Sequence, residues 1–422
     1  MIRHLFTLLW NQRRQNGWLF AELTVVFIAL WLLCDTFVAR IYTYYQPLGF
    51  DIGNCWRLSF GEYVSSSSND AGNTTGSLTT HQSLFQILER LRGLPEVEDA
   101  CVAIYSSPYS NGTVRQGLQP VDADSARFAG RQYHMYCVSY DYFHTFRIRD
   151  KNGEPIDVRA HPERYNEGMM ITPELERDFF GNVAGTGRMV MNGEVQFPVT
   201  GVTNSIRMTD FERPEEAMFQ LYSDEEFQSS YFSNYTPNQL EVTVRMKRTL
   251  SQEQMDEFLA THRELLGAGN LYVIAAAPWT EWRDAKLSDK RQQLTVFALI
   301  GLFTLFTVFF GITGTFWLRV EQRRGETGLR MALGSSPRRI AGFFTAEGWL
   351  LLTAVLPLSL VVIGNLCYAD LPDTSQMDMG TGRFLIACVT ALLLLGVMIL
   401  LGTWLPARRA MKMKPAEALH YE

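Results

Sequence analysis

The stretch Leu294–Leu318, LTVFALIGLFTLFTVFFGITGTFWL, runs for 25 residues without a charged side chain. An α-helix rises about 1.5 Å per residue, so a helix of this length crosses a hydrocarbon core about 30 Å thick. Three other stretches of the chain are similarly apolar. We therefore predict four transmembrane helices, over residues 18–38, 294–318, 342–364 and 384–405.

The distribution of charge predicts the orientation of these spans. The two termini and the loop between the second and third spans together carry thirteen Lys and Arg residues against four acids, although the whole chain has a net charge of −6. Positively charged segments stay in the cytoplasm. We expect residues 1–17 (an amphipathic helix on the inner leaflet), 319–341 and 406–422 inside, and residues 39–293 and 365–383 outside.

The region 39–293 is long enough to bury a core of its own. Its patterns mix helices and strands: Thr172-Pro173-Glu174 opens a helix that Gly181 ends, and Asn192–Gly193 forms the turn of a hairpin. Trp279–Lys290 is predicted to be a helical stalk that runs into the second span. The predicted fold class is thus an α-helical membrane domain of four spans with a large α/β domain of two subdomains, inserted between spans one and two.

Residues with recognisable chemistry are few. The chain has no G-x-x-x-x-G-K-[ST] phosphate-binding loop, and its seven His residues show no metal-ligand spacing. We therefore expect a non-catalytic chain with no metal, no cofactor and no nucleic-acid partner. Cys101 and Cys137 fall on predicted strands, and two interpretations stay open for them: a cross-strand disulfide or two buried free thiols.

Two acids lie within predicted spans, Glu22 in the first and Glu347 in the third. An acid inside a membrane is costly unless it is paired or reaches the interface. A functional interpretation makes them a relay or a gating contact. The structural alternative places them about one turn from the cytoplasmic boundary, or in hydrogen bonds with neighbouring helices.

The cytoplasmic loop carries an ordered pattern that topology alone does not require. Gly334 is suited to ending a helix, and Ser336-Pro337 to starting the next one. The segment resembles the coupling segment of MacB/FtsX-type ABC transporter permeases, E-R-x-x-E-I-G-x-R-x-A-L-G-A-S. The tail P-A-R-R-A-M-K-M-K-P-A-E-A-L is similar to that family's ending. The residues that the resemblance assigns to ATPase coupling are Arg323, Arg324, Glu326, Gly328, Arg330, Gly334, Arg338 and Arg339.

This resemblance implies a permease subunit that works with a separate ABC ATPase, which would hold the ATP and magnesium, and with a second permease chain, identical or different. It implies an inner-membrane protein with a MacB-like periplasmic domain that transmits movement to a peptide, lipoprotein or small molecule outside the membrane. A periplasmic adaptor or outer-membrane component and membrane lipid are further expected partners. Two alternatives remain: an ATP-driven regulator of a cell-wall hydrolase or sensor kinase, and a passive receptor or scaffold.

Overall fold

The computed structural model describes residues 13–63, 78–165, 168–229, 232, 234–323, 325, 329 and 333–410. The chain divides into two compact units. We call Gln46–Lys290 the sheet unit, and the residues up to Tyr45 together with those from Arg291 onward the helical unit. The two subdomains predicted from the sequence do not separate here, and they stay a prediction.

The elements of both units follow in chain order. The helices are α1 (Arg13–Tyr45), α2 (Thr80–Arg92), α3 (Ser125–Phe128), α4 (Tyr142–Thr145), α5 (Pro162–Tyr165), α6 (Pro173–Phe180), α7 (Asp224–Phe227), α8 (Gln252–Thr261), α9 (Trp279–Gln322), α10 (Pro337–Tyr368) and α11 (Thr381–Ala410). The strands are β1 (Cys55–Glu62), β2 (Val97–Ile104), β3 (Arg115–Gln116), β4 (Gln119–Pro120), β5 (Tyr133–Ser139), β6 (Met169–Ile171), β7 (Met189–Asn192), β8 (Val195–Val202), β9 (Ala217–Tyr222), β10 (Leu240–Met246), β11 (Gly267–Ala268) and β12 (Leu271–Pro278).

Four of these helices, α1, α9, α10 and α11, are long and apolar enough to cross a membrane, as the sequence predicts. Helices α1, α10 and α11 pack against one another around a core that includes Leu23, Trp31, Leu352 and Leu395. Helix α9 differs, because only 11 % of its most apolar window is buried, against 39 % for α1. The helical unit is thus a three-helix core with α9 largely uncovered.

The strands of the sheet unit form one mixed sheet in the order β11-β12-β1-β10-β2-β5-β9-β6-β8-β7-β4, with β3 paired to β5. The pairs β5–β9 and β6–β8 are parallel, and the other pairs are antiparallel. Alternate residues of a strand face opposite sides of a sheet. Accordingly, Val102 lies in one hydrophobic core with α2 and α8, whereas Cys101 and Ala103 lie in a second core with α4.

Local sequence signals place several helices of this unit. Thr79 caps α2 in a capping box with Gln82, and Thr172 caps α6, which has Pro173 in its first turn. Gly181 ends α6 and Gly193 closes the β7–β8 hairpin, both with positive φ. The boundaries of α6 and the β7–β8 turn match the sequence prediction. Helix α8 ends at Thr261, before the chain turns to pair β11 with β12.

Truncating the apolar contact between α2 and the sheet is expected to lower the free energy of unfolding. Leu88 is 1 % exposed in that core, so Leu88→Ala should cost about 2 to 5 kcal/mol through lost burial and a residual cavity. Thermal and denaturant unfolding of the solubilised full chain measures this. Leu265→Ala, at a side chain that is 45 % exposed, is the matched control. Equal stability losses in the two variants would contradict this packing.

Candidate functional site

Two predicted site residues form an ion pair at one end of the helical unit. The Nη1 of Arg323, just beyond α9, donates to Oε2 of Glu347 in α10 at 3.0 Å. Both side chains are shielded, with relative exposures of 12 % and 3 %. A buried acid of this kind needs a partner. The ion pair ties the start of the predicted coupling segment to the third span, a link that sequence spacing did not reveal.

The other predicted coupling residues differ in how far the structure describes them. Gly334 has φ +91°, the left-handed conformation expected where a helix ends, and Ser336 precedes α10 as its N-cap residue. Arg339 lies in the first turn of α10 and is exposed. The side chain of Arg338 and the residues Arg324, Glu326, Gly328 and Arg330 lie outside the described part of the chain.

Glu22 lies half-buried in α1, beside Gly311 and Thr315 in the C-terminal part of α9. Thr315 Oγ1 approaches Glu22 Oε2 at 3.5 Å, and a Cβ built at Gly311 would lie 3.4 Å from Glu22 Oε1. Glu22 therefore has a polar neighbour on another helix, as the structural interpretation of this acid expects. Glu22 and Glu347 thus contact different groups, Thr315 and Arg323 respectively.

A second buried ion pair in the helical unit was not predicted. Arg383 at the start of α11 makes two hydrogen bonds to Asp35 of α1, at 2.8 Å and 2.6 Å. The side chains are 1 % and 3 % exposed. Arg383 also donates to the backbone oxygens of Asp373 and Met377, and Thr43 donates to that of Gln376. The pair therefore joins two spans and also holds the loop that precedes α11.

In the sequence, only Asp35 indicated that a buried charge pair was needed. Asp35 lies near the end of the first apolar stretch, where an acid is unusual. Arg383 directly precedes the fourth apolar stretch, a position where a basic residue is common. The two lie 348 positions apart, so no local pattern connects them.

The stalk part of α9 is bonded firmly within the sheet unit. Trp279 is fully buried and its Nε1 donates to Thr243 Oγ1 of β10 at 3.0 Å. One turn further, Arg283 donates to the carboxylate of Asp210, which also accepts from Tyr109 Oη at 2.8 Å. The predicted stalk is thus helical, continuous with the second apolar stretch, and anchored at its first turns.

Cys101 and Cys137 do not form the disulfide considered from the sequence. Both are free thiols. In the β2–β5 ladder Cys137 faces Ile104, so Cys101 is three positions away along β2 and points to the opposite face. Burial raises the pKa of the Cys137 thiol to about 12, which keeps it protonated at neutral pH. No group of three or more metal-ligating side chains occurs among the residues described.

Comparison with known proteins identifies the helical unit. Residues 298–415, which include α10, α11 and most of the apolar part of α9, match the family described as FtsX-like permease C-terminal. This segment belongs to the FtsX-like permease family. The resemblance to MacB/FtsX-type ABC permeases is confirmed by this match. The match supports an ABC transporter permease subunit, a kind of chain that is generally non-catalytic.

Solved structures resemble this chain over part of its length. They include the periplasmic region of MacB from Actinobacillus actinomycetemcomitans (10 % identity, TM-score 0.31, 55 % of this chain and 93 % of that one). The extracellular domain of YknZ from Gram-positive bacteria is 13 % identical, with a TM-score of 0.31, and the match covers 52 % of this chain and 99 % of that one. A domain of a putative permease protein from Porphyromonas gingivalis is 15 % identical, with a TM-score of 0.32, and the match covers 45 % of this chain and 77 % of that one. With TM-scores of 0.31 to 0.32, these superpositions support no conclusion about this chain. No curated protein sequence matches it.

Removing one partner of the Asp35–Arg383 pair should destabilise the helical unit strongly. Asp35→Asn leaves the Arg383 guanidinium buried without its countercharge, a change that costs about 3 to 5 kcal/mol. The melting temperature of the detergent-solubilised protein measures the effect. Asp370→Asn makes the same chemical change at an exposed loop residue and should leave stability unchanged.

The double variant Asp35→Asn with Arg383→Met separates charge pairing from packing. With both charges gone, no ion is left unpaired, so we expect the double variant to be more stable than Asp35→Asn alone. A double variant less stable than the single one would show that the pair does not act as described.

Proposed function

We propose that this permease subunit transmits movement from a separate ABC ATPase in the cytoplasm to its own sheet unit in the periplasm. The ATPase binds ATP and magnesium, and the permease binds neither. The sheet unit, inserted between the first and second spans, acts on a peptide, lipoprotein or small molecule that is already outside the inner membrane. Efflux or extraction is the resulting process.

The distribution of charge supports this orientation. The segments 1–17, 319–341 and 406–422 hold thirteen of the basic residues and only four acids. Basic segments close to spans stay in the cytoplasm. Both termini and the coupling segment are therefore placed inside, where an ATPase can reach them.

The coupling segment has a fixed attachment and an open surface. Arg323 is held by Glu347, so a push on the segment reaches the second and third spans through a shielded ion pair. Arg339 is exposed one turn into α10 and offers a positive charge to a partner. The ATPase is proposed to bind across residues 323–339.

The observation that carries the proposal is helix α9 itself. It runs without interruption from Trp279 to Gln322, a length of about 66 Å at 1.5 Å per residue. Its first turn is buried in the core of the sheet unit, and Ile312 and Phe316 near its other end are buried in the core of the helical unit. We propose that displacement passes from the helical unit to the sheet unit along this helix.

A second permease chain is proposed to pack on α9. Large apolar side chains of this helix are uncovered, among them Phe303, which is 73 % exposed, and Phe310, which is 66 % exposed. Helix α9 is the least buried of the apolar helices described. A second copy that packs α9 against α9 would bury this face and place two coupling segments opposite two ATPases.

Reversing the charge at the coupling segment should abolish capture of the ATPase. The full-length chain in detergent is used to pull down candidate ATPase subunits from the same cell, and Arg339→Glu and Glu326→Lys are compared with wild type. We expect one ATPase to be captured by wild type and at least tenfold less by either variant.

Arg188→Glu is the matched control, because it makes the same charge change at an exposed residue of the sheet unit. It should capture the ATPase as wild type does. Capture of no ATPase by wild type would contradict the coupling role and favour a passive receptor or scaffold. A captured ATPase whose complex also retains a hydrolase or kinase would favour the regulatory alternative.

Cross-linking tests the proposed packing of two chains. In a chain whose native cysteines are replaced by alanine, Phe303→Cys should give a covalent dimer on mild oxidation in membranes. Val361→Cys, at a residue of α10 that is 62 % exposed, is the control and should stay monomeric. The reverse pattern would place the interface on the third span.

A further inference from the structure

The sheet unit contains a cavity of about 230 Å³ that the coupling mechanism does not use. It lies between the loop after β2, the first half of β5, the segment before β9 and the stalk part of α9. The volume is below the range typical of sites for drug-sized ligands. It suits a small molecule or the side chain of a larger one.

The lining combines carboxylates with aromatic rings. Its lining includes the acids Glu212 and Glu215 and the aromatic residues Tyr105, Tyr109 and Tyr136. The one lining Lys residue, Lys286, donates to the backbone oxygen of Ser110 at 3.1 Å and to Asn111 Oδ1 at 3.3 Å. Acids and tyrosine rings together favour a cation, because a ring face attracts positive charge.

A lining hydroxyl group is left without a partner. Ser107 is 2 % exposed, and its Oγ makes no hydrogen bond within the described residues. A buried hydroxyl without a partner is costly, and such groups are rare in folded proteins. A bound group with an N–H donor would satisfy it.

The charge state of the cavity centres on Glu215. Tyr136 donates to its carboxylate, and His134 Nδ1 lies 3.7 Å from Oε2. Burial is the main cause that raises the pKa of Glu215 to about 7, and Glu212 adds to the rise while Tyr136 and Arg115 oppose it. Burial and Arg115 lower the pKa of His134, so this ring is neutral at pH 7 and does not repel a cation.

The cavity is also bonded to the stalk. Tyr109, which lines it, shares the carboxylate of Asp210 with Arg283 of α9, and Lys286 of α9 lies in its wall. A ligand that orders the loop of Tyr109 to Asn111 therefore acts on the first turns of the helix that continues into the membrane.

We propose that this cavity binds an organic cation, a protonated amine on a small molecule or on the side chain of a peptide, and that occupancy is sensed by the stalk. The carboxylates of Glu215 and Glu212 neutralise the ammonium, the tyrosine rings enclose its carbon chain, and Ser107 accepts one N–H. The link to the stalk rests on the proposed function, whereas binding of the cation does not.

Calorimetric titration of the detergent-solubilised full chain with cadaverine tests the site. We expect binding at pH 8, no binding of the isosteric diol, and at least a tenfold loss of affinity in Glu215→Gln, which keeps an oxygen for Tyr136. Glu194→Gln, an exposed acid in the β7–β8 turn, is the matched control and should bind as wild type does. An end-blocked tripeptide with a central lysine tests the peptide source, and the tighter of the two probes identifies which source the cavity prefers.

The pH dependence has a defined sign. Glu215 is mostly protonated at pH 6 and mostly ionised at pH 8, so cadaverine affinity should rise about tenfold across this interval. Failure of both probes to bind wild type, or equal binding by Glu215→Gln, would overturn the site. Loss of ATPase capture with intact cadaverine binding would instead contradict the proposed function and leave the site standing.

Discussion

The ion pair between Asp35 and Arg383 is the constraint on which the arrangement of the helical unit depends. Neither charge is tolerable alone at 1 to 3 % exposure, so α1 and α11 must meet at this point. The remaining donors of Arg383 are taken by backbone oxygens of the loop before α11. With α1 and α11 joined by this pair, the apolar faces of α1, α10 and α11 pack into one core, and most of the apolar surface of α9 stays exposed.

The uncovered helix α9 is the element on which the proposed transmission of movement depends. A helix keeps its backbone hydrogen bonds internal, so α9 crosses an apolar environment with no side contacts required for its own integrity. Its two ends are held by different means. Trp279 is buried and hydrogen-bonded to Thr243 at one end, while Arg323, just past the other end, is paired with Glu347.

The sheet unit uses buried charge in a different way. Asp141, 4 % exposed, is surrounded by Arg92 and Arg159, and burial is the main cause that raises its pKa to about 6. That network has its charges matched and ties α2 to the sheet. The cavity beside the stalk is lined by Glu212 and Glu215, and the Ser107 hydroxyl in its lining makes no hydrogen bond within the described residues. The network around Asp141 therefore serves packing, whereas the unpaired Ser107 hydroxyl is the feature that supports the proposed binding site.

The sequence by itself determined the four apolar helices, the stop at Gly334, the two ends of α6, and the continuity of the stalk with the second span. Each of these depends on hydropathy or on residues within a few positions of one another, so a local pattern is sufficient. Only the tertiary structure decided the pairs Asp35–Arg383 and Arg323–Glu347, the separation of Cys101 from Cys137, and the cavity around Glu215. These depend on strand register and helix contacts between distant parts of the chain, where the identity of one residue carries no information about its partner.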